Sequence, residues 1–228
     1  MNPTEQAKKR AGYAAADLVQ DGMIVGLGTG STVFFAMERL SERIRQGLTI
    51  LGIPTSAQAS LRARAYGIPL TTLDDHPEID IAIDGADQVD AALRLIKGRG
   101  AAHTRERVVA GAARELVIVI DPGKRTDLLS AAVPVEVLPF AATPVIRRLE
   151  AMGAATAIRE GVKKDGPVVT DNSGWIIDCD FGTITDPQSL ETTINNIPGV
   201  VCCGIFSEFT GKTKVIMGDA GGIRMFSS

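Results

Sequence analysis

Short apolar runs alternating with amphipathic stretches set the rhythm of this chain. Ala7, Ala11, Ala14, Ala15 and Leu18 recur at helical spacing behind Asn2 and Thr4, either of which suits an N-cap. This predicts a helix over residues 4–20, ended by Asp21-Gly22. Met23-Ile24-Val25-Gly26-Leu27-Gly28 reads as a buried strand, Thr29-Gly30-Ser31-Thr32 as a tight turn, and Val33, Phe34, Met37, Leu40 and Ile44 as the apolar face of a second helix. The alternation continues with strands over 48–53, 70–73, 79–83 and 116–120, and helices over 57–66 and 104–113. Strands separated by helices predict a parallel sheet covered by helices, an α/β, Rossmann-like unit.

Beyond residue 127 the texture changes. Val133-Pro134-Val135-Glu136-Val137 reads as a strand, 143–152 as a helix, the two sides of Asn172-Ser173-Gly174 as a hairpin, 187–195 as a helix and 200–206 as a last strand. Strand, helix, strand, strand, helix, strand is the order of a small α+β, ferredoxin-like domain with two helices on one face of an antiparallel sheet. Residues 213–217 and the glycine-rich tail are expected to return to the first domain as an edge hairpin. The boundaries that follow are 1–130 with 207–228 for the Rossmann-like domain and 131–206 for the small one.

Composition narrows the partners. The 228 residues are 45% hydrophobic and carry a net charge of −3, an ordinary globular balance that argues against nucleic acid. The apolar residues come in pieces too short to span a bilayer, and the polar N-terminus lacks the apolar core of a secretory signal, so a cytoplasmic protein with no membrane partner is expected. Cys179, Cys202 and Cys203 have no metal-ligand spacing and read as buried, reduced thiols. With only His76 and His103 available, a zinc site is not expected.

Three segments carry candidate chemistry. Gly26-Leu27-Gly28-Thr29-Gly30-Ser31-Thr32 brings close-approaching backbone, hydroxyls and a helix start together, which suits either an anion such as phosphate or a simple capped turn. Its spacing is neither the G-x-G-x-x-G of dinucleotide binders nor a P-loop, and no acidic residue follows the second strand, which disfavours a nicotinamide-dependent oxidoreductase. Asp84-Gly85-Ala86-Asp87 follows an apolar strand, where α/β sheets gather ligands. Lys97-Gly98-Arg99-Gly100 leads into a helix carrying Glu106. Taken singly, Lys97 is a surface lysine, Glu106 a first-turn glutamate and each aspartate a turn or cap residue. Together, three carboxylates and an ammonium suit proton abstraction beside a carbonyl.

These motifs, with Asp121 to Lys124, Val133-Pro134-Val135-Glu136-Val137 and Val169-Thr170-Asp171-Asn172, recur in order in one family, and the chain resembles type A ribose-5-phosphate isomerases over essentially its whole length. The resemblance implies an aldose–ketose isomerase that needs no cofactor or metal and forms a homodimer or homotetramer. It implies a sugar phosphate bound by Thr29, Gly30, Ser31, Thr32, Asp84, Gly85, Ala86, Asp87, Lys97, Gly98, Arg99, Gly100, Lys124 and Lys8. Glu106 would move the proton between C2 and C1, Lys97 and the glycine amides would face the developing oxyanion, and Asp84 and Asp87 would handle the hydroxyls and ring opening. Three positions depart from the family pattern: Arg99 replaces the middle glycine of a Lys-Gly-Gly-Gly run, Gly123 a hydroxyl residue, and His103 an apolar one. An alternative from another class is a sugar-phosphate-sensing regulatory domain that keeps the pocket without the catalysis.

Overall fold

The computed structural model describes residues 1–228. In chain order its elements are α1 (Pro3–Asp17), β1 (Ile24–Leu27), α2 (Ser31–Arg45), β2 (Leu51–Pro54), α3 (Ala57–Ala65), β3 (Ile79–Asp84), β4 (Gln88–Val89) and β5 (Leu95–Ile96). There follow α4 (His103–Ala112), β6 (Ala113–Ile120), β7 (Val133–Val137), α5 (Ala142–Ala151), β8 (Ala155–Ile158) and β9 (Trp175–Asp180). The chain closes with α6 (Pro187–Asn195), β10 (Val200–Cys203), β11 (Ile205–Phe206), β12 (Thr213–Gly218) and β13 (Ile223–Ser227).

The chain divides into two compact units. Residues 1–86, 105–125 and 209–228 form one, and 87–104 with 126–208 the other. The sequence boundaries assign 87–104 to the first domain, whereas here that segment joins the second unit. The reason is strand pairing: β5 pairs antiparallel with β11 and with β4 in a three-stranded sheet, and Ile96 lies in the second unit's core.

The first unit is a six-stranded sheet in the order β13-β12-β6-β3-β1-β2, parallel except for the β12–β13 pair. Leu27, Met37, Leu40, Ile81, Ile83, Val117 and Ile216 are among the side chains of its core. The first helix starts where expected because Asn2 and Glu5 close a reciprocal capping box. The tail returns to this sheet as the expected edge hairpin: β12 pairs on β6, and β13, antiparallel to β12, forms the outer strand. The expected strand at 70–73 shrinks to a single bridge between Leu70 and Gly52.

In the second unit β7, β8, β9 and β10 form an antiparallel sheet in the order β10-β7-β9-β8, the ferredoxin-like arrangement, with a core of Val135, Val145, Leu149, Ile177, Ile194 and their neighbours. Two local expectations change. β9 pairs with β7 on one side and β8 on the other, and the segment before Asn172 reaches Trp175 only through the bridge from Val169. The run 200–206 breaks at Gly204 into β10 and β11, which belong to different sheets. The three cysteines are buried and form no disulfide, and desolvation pushes the Cys179 thiol up to about 12. No helix is long and apolar enough to cross a membrane.

Candidate active site

In the first unit, candidate side chains stand at the carboxyl ends of the parallel strands. Asp84 ends β3 and is buried, its Oδ1 accepting the amide of Gly85 at 2.7 Å and that of Thr29 at 3.2 Å. This contact exists because residue 28 is glycine: a Cβ there would stand 2.2 Å from Asp84 Oδ1 and 2.7 Å from its Cα. The turn then passes through Gly30, at φ +125°, into α2, so Ser31 and Thr32 occupy the first turn of a helix whose amides favour an anion. Thr29 Oγ1 lies 3.0 Å from Thr55 Oγ1 and 2.7 Å from Ser56 Oγ, hydroxyls at the end of β2 that sequence reasoning passed over. Only a parallel β1–β2 register brings those residues beside Thr29, and no motif announces it.

Lys8 reaches this loop from α1, donating from Nζ to Ser31 Oγ at 3.1 Å. Lys124 follows β6 in a short helical turn capped by Asp121, whose Oδ1 accepts the Gly123 amide at 3.0 Å. The group that the turn uses at position 123 is thus the backbone N–H, which glycine supplies as well as any residue.

Glu106 is buried, at 6% exposure, and not a solvated first-turn residue. Its height above the sheet follows from packing. A Cβ on Gly26 would come within 2.6 Å of Val109 Cγ1 and 2.9 Å of Ala82 Cβ, so α4 rests directly on β1 and β3 at that level. Glu106 precedes Val109 by three residues on the same helix face, about 4.5 Å along the axis. Going from Gly26 to Gly28, or from Ala82 to Asp84, covers about 6.6 Å of strand. A crossover helix runs against its strands, so Glu106 stands near the level of Asp84, at the end where ligands collect.

The second unit carries the candidates Asp87 and Lys97. Lys97 is 3% exposed, with its amide on Gly204 O at 2.8 Å and Nζ 5.6 Å from the centre of the Phe206 ring. A lysine so buried is not the surface residue that the local pattern alone indicates. Asp87 Oδ2 accepts the Arg99 amide at 2.8 Å, and its Oδ1 lies 3.8 Å from Arg99 Nε. The Arg99 side chain is 75% exposed and its φ is not positive, so an L residue fits the loop without strain. His103 is fully buried. Its Nε2 meets the Cys202 carbonyl at 3.1 Å, which requires the proton on Nε2 and gives the ring a structural task. No group of three or more His, Cys, Asp or Glu is placed to hold a metal ion.

The family model described as Ribose 5-phosphate isomerase A (phosphoriboisomerase A) matches residues 51–222, well over half of the chain. The chain belongs to the ribose 5-phosphate isomerase A family. Ribose-5-phosphate isomerase A of Methanoregula boonei is 56% identical over 213 residues, covering 93% of this chain and 90% of that protein. Its counterpart from Thermosynechococcus vestitus is 55% identical over 206 residues, 89% of this chain and 87% of its own length. Among solved structures, ribose 5-phosphate isomerase A of Methanocaldococcus jannaschii aligns with a TM-score of 0.92 at 46% identity over 97% of this chain and 98% of that one. A D-ribose-5-phosphate isomerase in complex with phospho-erythronic acid aligns over the full length of both chains with a TM-score of 0.95 at 42% identity. The three positions read from the sequence as departures are accommodated locally: Arg99 at an exposed turn position, His103 as a buried imidazole on a carbonyl, and Gly123 through its backbone amide.

Proposed function

We propose that this chain interconverts D-ribose 5-phosphate and D-ribulose 5-phosphate through an enediolate. Family membership supports the reaction, and the burial of Glu106 is the single structural observation that carries the assignment of its base. In this reading Glu106 takes the proton from C2 of the open-chain aldose and returns it to C1, which a fixed carboxylate can do because the two carbons are adjacent. Lys97 and the amides of Gly98, Arg99 and Gly100 stabilise negative charge on the oxygen; each such donor is typically worth about 3 to 4 kcal/mol. Asp84 and Asp87 bind hydroxyls and move protons between oxygens during ring opening. The phosphate is held by Thr29, Gly30, Ser31 and Thr32 with Lys8 and Lys124, so that binding energy far from the reacting carbons becomes orientation. Gly85 and Ala86 keep the intervening turn small.

The reading also has the protein act in the cytoplasm, without nucleic acid, as a homodimer or homotetramer, with residues 131–206 as a supporting domain. Exposed Leu138, Phe140 and Val162 on the second unit support self-association, since large apolar side chains in water favour a partner surface. Sedimentation at assay concentration checks that part; a monomer would refute it.

The test of the reaction is direct. Purified protein given ribose 5-phosphate in chelator should produce ribulose 5-phosphate, with solvent deuterium entering the product. Glu106→Gln should retain sugar-phosphate binding while turnover falls by about a hundredfold or more, the usual share of a positioned base. Turnover near that of the wild type would remove Glu106 from the mechanism, and binding without any turnover in the wild type would favour a sensor.

A further inference from the structure

The loop that carries Lys97 is gripped from beside the four-stranded sheet. Arg159, which follows β8, lays its guanidinium against Asp178 on β9: Nε donates to Oδ2 at 2.8 Å, and Nη2 donates to Oδ1. The remaining nitrogen, Nη1, donates to two successive loop carbonyls, Gly98 O at 2.8 Å and Arg99 O at 3.0 Å. The Arg159 side chain is 18% exposed, so water competes weakly for these contacts.

Holding both carbonyls fixes two peptide planes. All peptides here are trans, so each N–H points opposite to the carbonyl of its own plane. The plane that gives Gly98 O to Arg159 sends the Arg99 N–H to Asp87 Oδ2 at 2.8 Å. The plane that gives Arg99 O to Arg159 turns the Gly100 N–H away from the guanidinium. A turn closed by Ala101 N–H on Gly98 O at 2.9 Å, with Gly98 at φ +108° and Ala101 at φ +57°, holds this shape. A non-glycine residue at positive φ is costly and persists only where its surroundings enforce it.

We propose that Arg159, oriented by Asp178, is a positioning residue for catalysis: it presets the 97–100 loop so that the Gly100 N–H meets the enediolate oxygen and the Asp87 carboxylate keeps its aim. This rests on the isomerase reading above and deepens it, because Arg159 touches no substrate and acts only through the backbone. The arrangement needs arginine. Three nitrogens of one planar fork serve Asp178 and the two carbonyls at once, whereas a lysine ammonium on its flexible stem cannot span both.

The test uses the full chain with Arg159→Lys, Arg159→Met and Asp178→Asn, assayed on ribose 5-phosphate, with phospho-erythronate and inorganic phosphate as competitive inhibitors. The planar carboxylate of phospho-erythronate mimics the enediolate, and inorganic phosphate reports only the anion site. Active-site concentration is taken from phospho-erythronate titration, so partial misfolding does not enter kcat. Arg159→Lys and Arg159→Met should lose about tenfold to a hundredfold in kcat with KM within about threefold, as for loss of an aligned oxyanion donor. Phospho-erythronate should weaken by a similar factor while inorganic phosphate is unchanged, and Arg159→Met with Asp178→Asn together should cost no more than Arg159→Met alone. Variants with kcat within about twofold of the wild type, or with KM and phosphate inhibition weakened at unchanged kcat, overturn the proposal. An active wild type with unaffected variants refutes Arg159 alone, whereas a wild type without turnover refutes the isomerase reading and this role with it.

Discussion

Replacing Gly28 by alanine tests the geometry that holds the Asp84 carboxylate. The added Cβ would lie 2.2 Å from Asp84 Oδ1, 2.3 Å from its Cγ and 2.7 Å from its Cα. The Cα cannot retreat, because β3 is paired on both sides, Ile83 with Leu27 and Asp84 with Ile118. The carboxylate must therefore swing out and lose the amides of Gly85 and Thr29. Overpacking costs about 1 to 3 kcal/mol, and each hydrogen bond to a charged group is worth about 1.5 to 3 kcal/mol, partly recovered if the freed groups reach water. A net loss of about 3 kcal/mol corresponds to a fall in Tm of about 6 to 12 °C for a chain of this size. Turnover should fall by about a hundredfold if Asp84 makes the proton transfers proposed for it, since its carboxylate no longer stands in place for them. Calorimetry and initial rates on ribose 5-phosphate measure both. Gly52→Ala is the control: its Cβ would meet a terminal methyl of the core residue Leu27 at 2.5 Å and no carboxylate, so it should cost stability by overpacking and leave kcat alone. Gly28→Ala with unshifted Tm and kcat within about threefold of the wild type would refute the reasoning.

Two further outcomes follow from other contacts. Lys8→Met removes the ammonium beside Ser31 and should raise KM for the sugar phosphate by about tenfold or more, the worth of one charge-assisted bond, with little change in kcat; a selective fall in kcat would exclude a binding role. Glu136, fully buried, accepts from the hydroxyls of Thr104 and Thr170 and from Asn172 Nδ2, so Glu136→Ala strands several donors and should destabilise the chain by about 3 kcal/mol or more in urea titration. An unchanged midpoint would show that water replaces the carboxylate there at no cost.

Much of this molecule was legible along the chain. Element type follows from period: the 3.6-residue recurrence of Val33, Met37 and Leu40 and the unbroken apolar run 116–120 admit one reading each, and β7 and α6 begin and end where their residues indicate. That Asp84, Lys97 and Glu106 each lie close to a strand end or a helix start was visible for the same reason. Period says nothing about which strand pairs with which. The partners of β9, the split of 200–206 between two sheets and the capture of 87–104 by the second unit depend on hydrogen bonds between residues far apart, as Ile96 with Ile205. Burial of a charged side chain is hidden likewise: Lys97, Glu106 and His103 have polar identities that locally predict solvent. Thr55, Ser56, Arg159 and Asp178 belong to no motif and entered the description only as neighbours in space. Local residue order settled what each segment is and which groups it can contribute, since helix and strand periods are properties of consecutive residues. Tertiary structure alone decided which carboxylates and ammonium leave water and which backbone planes are locked, because desolvation and hydrogen-bond geometry are set by whatever the fold brings alongside.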